Sequence, residues 1–112
     1  MRPTPQFIAE LKFHFEGQGP ERRHWFMFDE GLNRRVPMQM EGTDGLNTVG
    51  MWVKKAATFK AGDSVIVECV VIAPEIYSPV VKAGVKFELW DGGFFASGTV
   101  LERIEPGWPS AA

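Results

Sequence analysis

Hydrophobic and polar residues alternate with a period of two along most of the chain. Phe7, Ala9, Leu11, Phe13 and Phe15 share one face of the first segment and Ile8, Glu10, Lys12 and His14 the other, the pattern of a half-buried strand. Gly17-Gln18-Gly19-Pro20 then interrupts it with turn-forming residues. The same alternation predicts strands over His24–Phe28, Arg35–Met40, Val49–Val53, Ser64–Ala73, Lys86–Trp90 and Phe94–Ile104. Pro37 has no amide proton, so its strand should lie at an edge or beside a bulge. Gly42-Thr43-Asp44-Gly45 and Ala61-Gly62-Asp63 read as turns, Pro74, Pro79 and Gly84 punctuate a connection, and Asp91-Gly92-Gly93 is a strong hairpin signal. No segment carries a helical stripe. Six or seven short strands with regular turns predict an all-β fold, a small closed antiparallel barrel or a sandwich. A single domain is expected over residues 1–104, followed by a flexible tail, 105–112.

Length and composition fit that picture. A chain of 112 residues, 45% hydrophobic and 23% charged, has room for one core. A net charge of −2 gives no overall basic field for nucleic acid. The lone Cys69 excludes an intrachain disulfide and a thiolate metal cluster, and fits a reducing compartment. The stretch Met1-Arg2-Pro3-Thr4-Pro5-Gln6 has no apolar run behind its arginine and does not read as a signal peptide. No run of apolar residues is long enough to span a membrane. A cytoplasmic protein without membrane contact is expected.

The second half of the chain resembles a known family. Ala61-Gly62-Asp63-Ser64-Val65, Pro74, the run from Ala83-Gly84-Val85-Lys86-Phe87 through Glu88-Leu89-Trp90-Asp91-Gly92-Gly93, and Ser97-Gly98-Thr99-Val100 follow one another in a familiar order. They are similar to the carboxy-terminal, third domain of elongation factor Tu and its relatives. That family has a Pro-Gly-Asp turn before an apolar strand, a proline after it, a Gly-x-Arg-Phe-x-(Ile/Leu)-Arg-Glu-Gly-Gly-Arg hairpin and an Ala-Gly-Val-Val closing strand. The spacing agrees except for one residue missing after Gly93. Phe7-Ile8-Ala9-Glu10-Leu11 resembles the family's opening strand more loosely, and Arg23-His24 stands where the family has Gly-Gly-Arg-His. The resemblance implies a closed six-stranded barrel. The chain has no Gly-x-x-x-x-Gly-Lys-(Ser/Thr) loop, so neither GTP binding nor elongation activity is expected of it.

In elongation factor Tu this domain contacts the T stem of transfer RNA and meets partner proteins. The resemblance therefore implies RNA contacts at Arg23, His24, Gly92 and Gly93; separately, Arg22, Arg23, Arg34 and Arg35 form either a small basic patch or simply a solvated surface. Two departures count against that role: Trp90 and Phe94 replace the arginines flanking the hairpin tip, and Arg34-Arg35-Val36-Pro37-Met38 only partly keeps a Tyr-Arg-Pro-Gln-Phe strand. Losing guanidinium groups weakens phosphate contacts directly.

A protein partner has its own candidates. Trp90, Phe94 and Phe95 surround the glycine tip and cannot all point inward on alternating strands; one or two should be exposed and anchor a partner, or Trp90 and Phe95 pack beneath a neighbouring loop. The run Val65-Ile66-Val67-Glu68-Cys69-Val70-Val71-Ile72 is apolar on both faces apart from Glu68, whereas a small barrel buries only one. The outward set, either Ile66, Val70 and Ile72 or the alternate valines, needs cover from the amino-terminal segment, a second copy or another protein. Burying one such side chain contributes about 1.5–3 kcal/mol. His14 and His24 fall in different strands without ligands at metal spacing, Asp63 and Asp91 occupy turns, and Cys69 sits in an apolar strand. The expectation is a non-enzymatic protein-binding module or homo-oligomer without cofactor or metal. The alternative is an RNA (tRNA)-binding accessory protein linked to translation.

Overall fold

The computed structural model of the chain describes residues 3–109. Its strands are β1 (Phe7–Phe13), β2 (Trp25–Phe28), β3 (Arg34–Met40), β4 (Asn47–Trp52), β5 (Ala57–Lys60), β6 (Ser64–Val71), β7 (Lys86–Trp90) and β8 (Phe94–Arg103). A one-turn helix α1 (Pro74–Tyr77) lies between β6 and β7, and a 3-10 turn (Glu105–Gly107) follows β8. Six strands close into an antiparallel barrel in the order β1-β6-β4-β3-β7-β8, and β2 and β5 form a separate two-stranded ribbon. The all-β fold and six-stranded closure are those the alternation and the resemblance imply. β5 has no counterpart among the strands expected from sequence: Ala57-Thr58-Phe59-Lys60 is short and carries one large apolar residue.

Alternation decides which side chains fill the barrel. Phe7, Ala9, Leu11 and Phe13 of β1 face inward, as do Val67, Cys69 and Val71 of β6, Val49 and Met51 of β4, and Met38 and Met40 of β3. Pro37 opposes Thr48 of β4, and pairing with β7 begins only at Met38, so the missing amide falls where β3 has a single neighbour. On β8, the inward Gly98 leaves space for the ring of Phe87 on β7: a Cβ built there would lie 2.1 Å from the ring. Phe87 in turn meets Phe7 edge-on, with ring centroids 6.1 Å apart.

The two ends of the barrel are closed differently. Phe13 and Phe95, at the end of β1 and the start of β8, receive Phe26, Phe28 and Phe59 of the β2–β5 ribbon. At the other end Arg103 donates from Nη1 to the carbonyls of Ser78 and Val81, at 2.7 and 2.9 Å, tying β8 to the connection after α1. The tail expected to be flexible from Glu105 is instead packed through Trp108, which is 7% exposed. Its Nε1–H donates to the carbonyl of Gln6 at 2.9 Å, and Arg103 lies 4.5 Å over its ring. A chain terminus with two prolines and a glycine looks mobile in sequence, but one tryptophan that finds both a pocket and an acceptor packs it against the barrel. Residues 110–112 of that expected tail lie outside the described residues.

The close approach at Gly98 sets a direct expectation. Gly98→Ala should lower the unfolding free energy in urea by about 1–3 kcal/mol through overpacking against Phe87. Unchanged stability would contradict the inward placement of this residue.

Candidate functional site

The hairpin tip is a packed structure. Gln18 Nε2 donates to the carbonyls of Asp91 and Gly93, at 3.0 and 2.8 Å, and Gly17 N–H donates to the carbonyl of Phe94 at 2.8 Å. Gly93 has φ +154°, and a Cβ on it would lie 1.9 Å from the carbonyl oxygen of Gly17, so only glycine fits against the 17–22 loop. Gly92, at φ +69°, lies against the Arg22 guanidinium. Both glycines thus have a packing role at the tip.

The three aromatic candidates around this tip have different fates. The pairing of β7 with β8 shifts by one residue between Leu89 and Trp90, opposite Phe94 to Ala96. At such a bulge consecutive residues can point the same way. Phe95 and Ala96 are accordingly both buried, and Phe95, 2% exposed, stacks on Phe26 with centroids 5.0 Å apart. Phe95 is therefore a core residue and not an exposed anchor, and of the two readings that the sequence leaves open for it the packed one is realised. Trp90 remains 37% exposed and Phe94 is half-buried.

The arginines divide between two places. Arg22, Arg23 and Arg34 border a cleft of about 100 Å³ together with Gln18, Trp25, Met27 and Asp91. Arg22 donates to the Asp91 carbonyl at 2.9 Å and stands 3.6 Å from its carboxylate. Arg23 lies 4.5 Å over the ring of Trp25, and Arg34 lies 4.0 Å over Phe26 and donates to the Met27 carbonyl. Arg35 follows Arg34 on β3 and points to the opposite face, near Asn33, Gly50 and Trp52. The adjacent arginines do not form one patch. His24 stacks on Phe15, centroids 5.8 Å apart, and its Nε2 lies 3.2 Å from the Gly19 carbonyl.

The third surface lies on the outside of β6. Its inward residues are Val67, Cys69 and Val71, so Ile66, Val70 and Ile72 form the outward set. Ile66 is 50% and Ile72 64% exposed, whereas Val70 is half-buried. Ile66 lines a groove of about 690 Å³ with Ile8 of β1, Trp52 and Val53 at the end of β4, Ala57 and Phe59 of β5, and Val65. Lys54, Lys55 and Glu68 supply its charges. Val70 and Ile72 lie on the other side of Trp52, beside Pro3, Asn33, Arg35 and Gly50. Trp52 lies between these two regions, and a Cβ at the neighbouring Gly50 would be in ordinary contact with the indole at 3.7 Å and tight only against Asn33 Nδ2 at 3.3 Å.

Sequence reasoning singled out Ile66 but missed Ile8, Trp52, Phe59, Lys54 and Lys55 in the same groove. The available signal was the outward position of Ile8 among polar neighbours, together with a strand-forming Ala57-Thr58-Phe59-Lys60 directly after two lysines.

The titratable side chains are dispersed. His14 Nε2 lies 3.5 Å from Glu88, and its Nδ1 accepts from the Glu16 amide at 2.9 Å. Asp63 Oδ2 accepts from the Lys60 amide at 2.8 Å, the turn-capping role expected of it. Among the described residues no group of three or more His, Cys, Asp or Glu side chains is placed to hold a metal ion. No helix among them is long and apolar enough to cross a membrane. Complete burial pushes the Cys69 thiol far above the ordinary thiol range, with the charge of Glu68 adding to the effect. Only the thiolate is nucleophilic, so native protein at pH 8 should resist a disulfide-exchange reagent and react fully once unfolded. Rapid labelling of the native protein would contradict this placement.

No family model matches the chain, and no curated protein matches it either.

Proposed function

We propose that this protein is a non-enzymatic protein-binding module, a relative of the elongation factor Tu carboxy-terminal barrel, that engages its partner through the outer face of β6. The observation that carries this reading is the groove around Ile66. It is concave, lined by Ile8, Trp52, Phe59, Val65 and Ile66, and edged by lysines. Aromatic and aliphatic side chains in a recess are the usual anchors of protein interfaces. Half-exposed Ile66 and largely exposed Ile72 leave apolar area in water that association would remove.

An RNA-binding accessory role in translation is the second reading, supported by the convergence of Arg22, Arg23 and Arg34 on one cleft beside Trp25. Guanidinium groups and an exposed aromatic suit phosphate and base contacts. Each of these arginines is already engaged, by Asp91, by Trp25, or by Phe26 and the Met27 carbonyl, which ranks this reading below the first.

A photo-cross-linking residue at position 66, with a control at exposed Lys12, separates the two. The expected result is a discrete adduct in cell extract at position 66 only, destroyed by protease and unaffected by ribonuclease. A ribonuclease-sensitive adduct, or salt-dependent binding to transfer RNA abolished by Arg23→Glu without any adduct at position 66, would overturn it in favour of RNA.

A further inference from the structure

The groove around Ile66 is also a gap in the backbone pairing of the sheet. β1 pairs with β6 from Ser64 to Cys69, but β4 pairs with it only from Glu68 to Val71. On the β4 side, therefore, no ladder residue opposes Ser64–Val67 among the described residues. The chain leaves β4 at Trp52, passes through Lys54 and Lys55, and returns as β5, which pairs with β2 instead. β5 and β6 are joined by a tight turn, in which the Asp63 amide donates to the Lys60 carbonyl at 3.0 Å, and they diverge from it without forming a ladder.

The direction of the free groups follows from the alternation of an antiparallel ladder. The Ile72 amide donates to Thr48, so even-numbered residues of β6 turn their backbone groups towards β4. The Phe13 amide donates to the Asp63 carbonyl and that of Gln6 to the Cys69 carbonyl, so odd-numbered residues face β1. The amide and carbonyl of Ile66 therefore point into the gap. On β5, the Lys60 amide and carbonyl are taken by Asp63, which places Lys60 in a pair with Trp25 that is not hydrogen-bonded. Thr58, two residues earlier, consequently turns its amide and carbonyl away from β2. A strand edge left open in this way is a template for another chain.

We infer that the Ile66 groove accepts an extended segment of a partner protein by strand addition to β6, and that this segment alternates apolar residues and carries carboxylates at the end nearest Lys54 and Lys55. This rests on the protein-binding reading above and specifies its mode. The backbone edge supplies direction and register, and alternate side chains of the guest fall beside Ile66, Trp52 and Phe59. Charge sets the polarity. Lys54 and Lys55 are exposed at the β4–β5 side and form no ion pair among the described residues, whereas the carboxylates lie on the barrel side, Glu68 on β6 and exposed Glu10 opposite Ile66 on β1. An acidic guest terminus is therefore favoured beside the lysines and disfavoured towards β1.

Panning a displayed library of random short peptides on the full chain tests this. Enriched peptides are expected to alternate apolar residues and to end in Asp or Glu. Their affinity should fall about tenfold or more in Ile66→Asp and in the double variant Lys54→Glu/Lys55→Glu. Binding should also slow hydrogen exchange at the Ile66 amide. Both variants change exposed side chains, so each should remain folded, and urea unfolding checks this. No enrichment, peptides indifferent to Ile66→Asp, or peptides that leave the Ile66 amide unchanged would overturn strand addition. Sedimentation showing a dimer that buries Ile66 would overturn it in favour of a second copy. The protein-binding reading falls separately, on the absence of a protein adduct at position 66.

Discussion

The ring of Phe13 lies parallel to that of Phe59, interplanar angle 5° and centroids 5.3 Å apart, and the rest of the architecture depends on this stack. Phe13 ends the first barrel strand and Phe59 lies in the middle of β5, so the contact fixes the ribbon to the barrel. Phe26 and Phe95 stack on the same cluster, and Phe28 meets Phe59 and Phe26 edge-on. Aromatic pairs of this kind add about 0.5–1.5 kcal/mol each beyond the area they bury. A ribbon of two four-residue strands could not persist alone in water; here it is held as the lid of one barrel end.

That lid determines the outer surface. Because Phe59 is committed to Phe13, β5 is drawn away from β6 and pairs with β2, so the sheet is left open beside Ser64–Val67. The lysines of the β4–β5 connection then stand at the rim of the resulting groove. Core packing and the candidate binding surface are two consequences of the same aromatic contact. The hairpin tip shows the opposite outcome: there Gln18 and Arg22 satisfy the carbonyls and Gly17 fills the space, so a glycine-rich turn that looks free in sequence is enclosed.

Barrel strands were legible wherever period-two alternation ran for more than five residues, as in β1 and β3, because inward and outward residues experience different solvents there. β6 was legible as a long run of β-branched residues between turn signals. Which of Trp90, Phe94 and Phe95 turns inward is not legible in the sequence, because a register shift between Leu89 and Trp90 breaks the period there. β5 was missed because its stability comes from long-range stacking and not from its own pattern. Trp108 was misread for the same reason: its partner, the Gln6 carbonyl, lies at the other end of the chain. Ile66 belongs to one of the two outward sets that the sequence leaves open on β6, and the inward placement of Val67, Cys69 and Val71 selects it. Its groove was not legible, since Ile8, Trp52 and Phe59 reach it from three other strands.

The open edge of β6 is the central structural claim, and amide hydrogen exchange in the free protein reads it residue by residue. The Ile66 amide should exchange rapidly, while those of Val65 and Val67, turned towards β1, should be protected to near the level of global unfolding. Equal protection at all three positions would mean that β6 is paired on both sides, and would contradict the account.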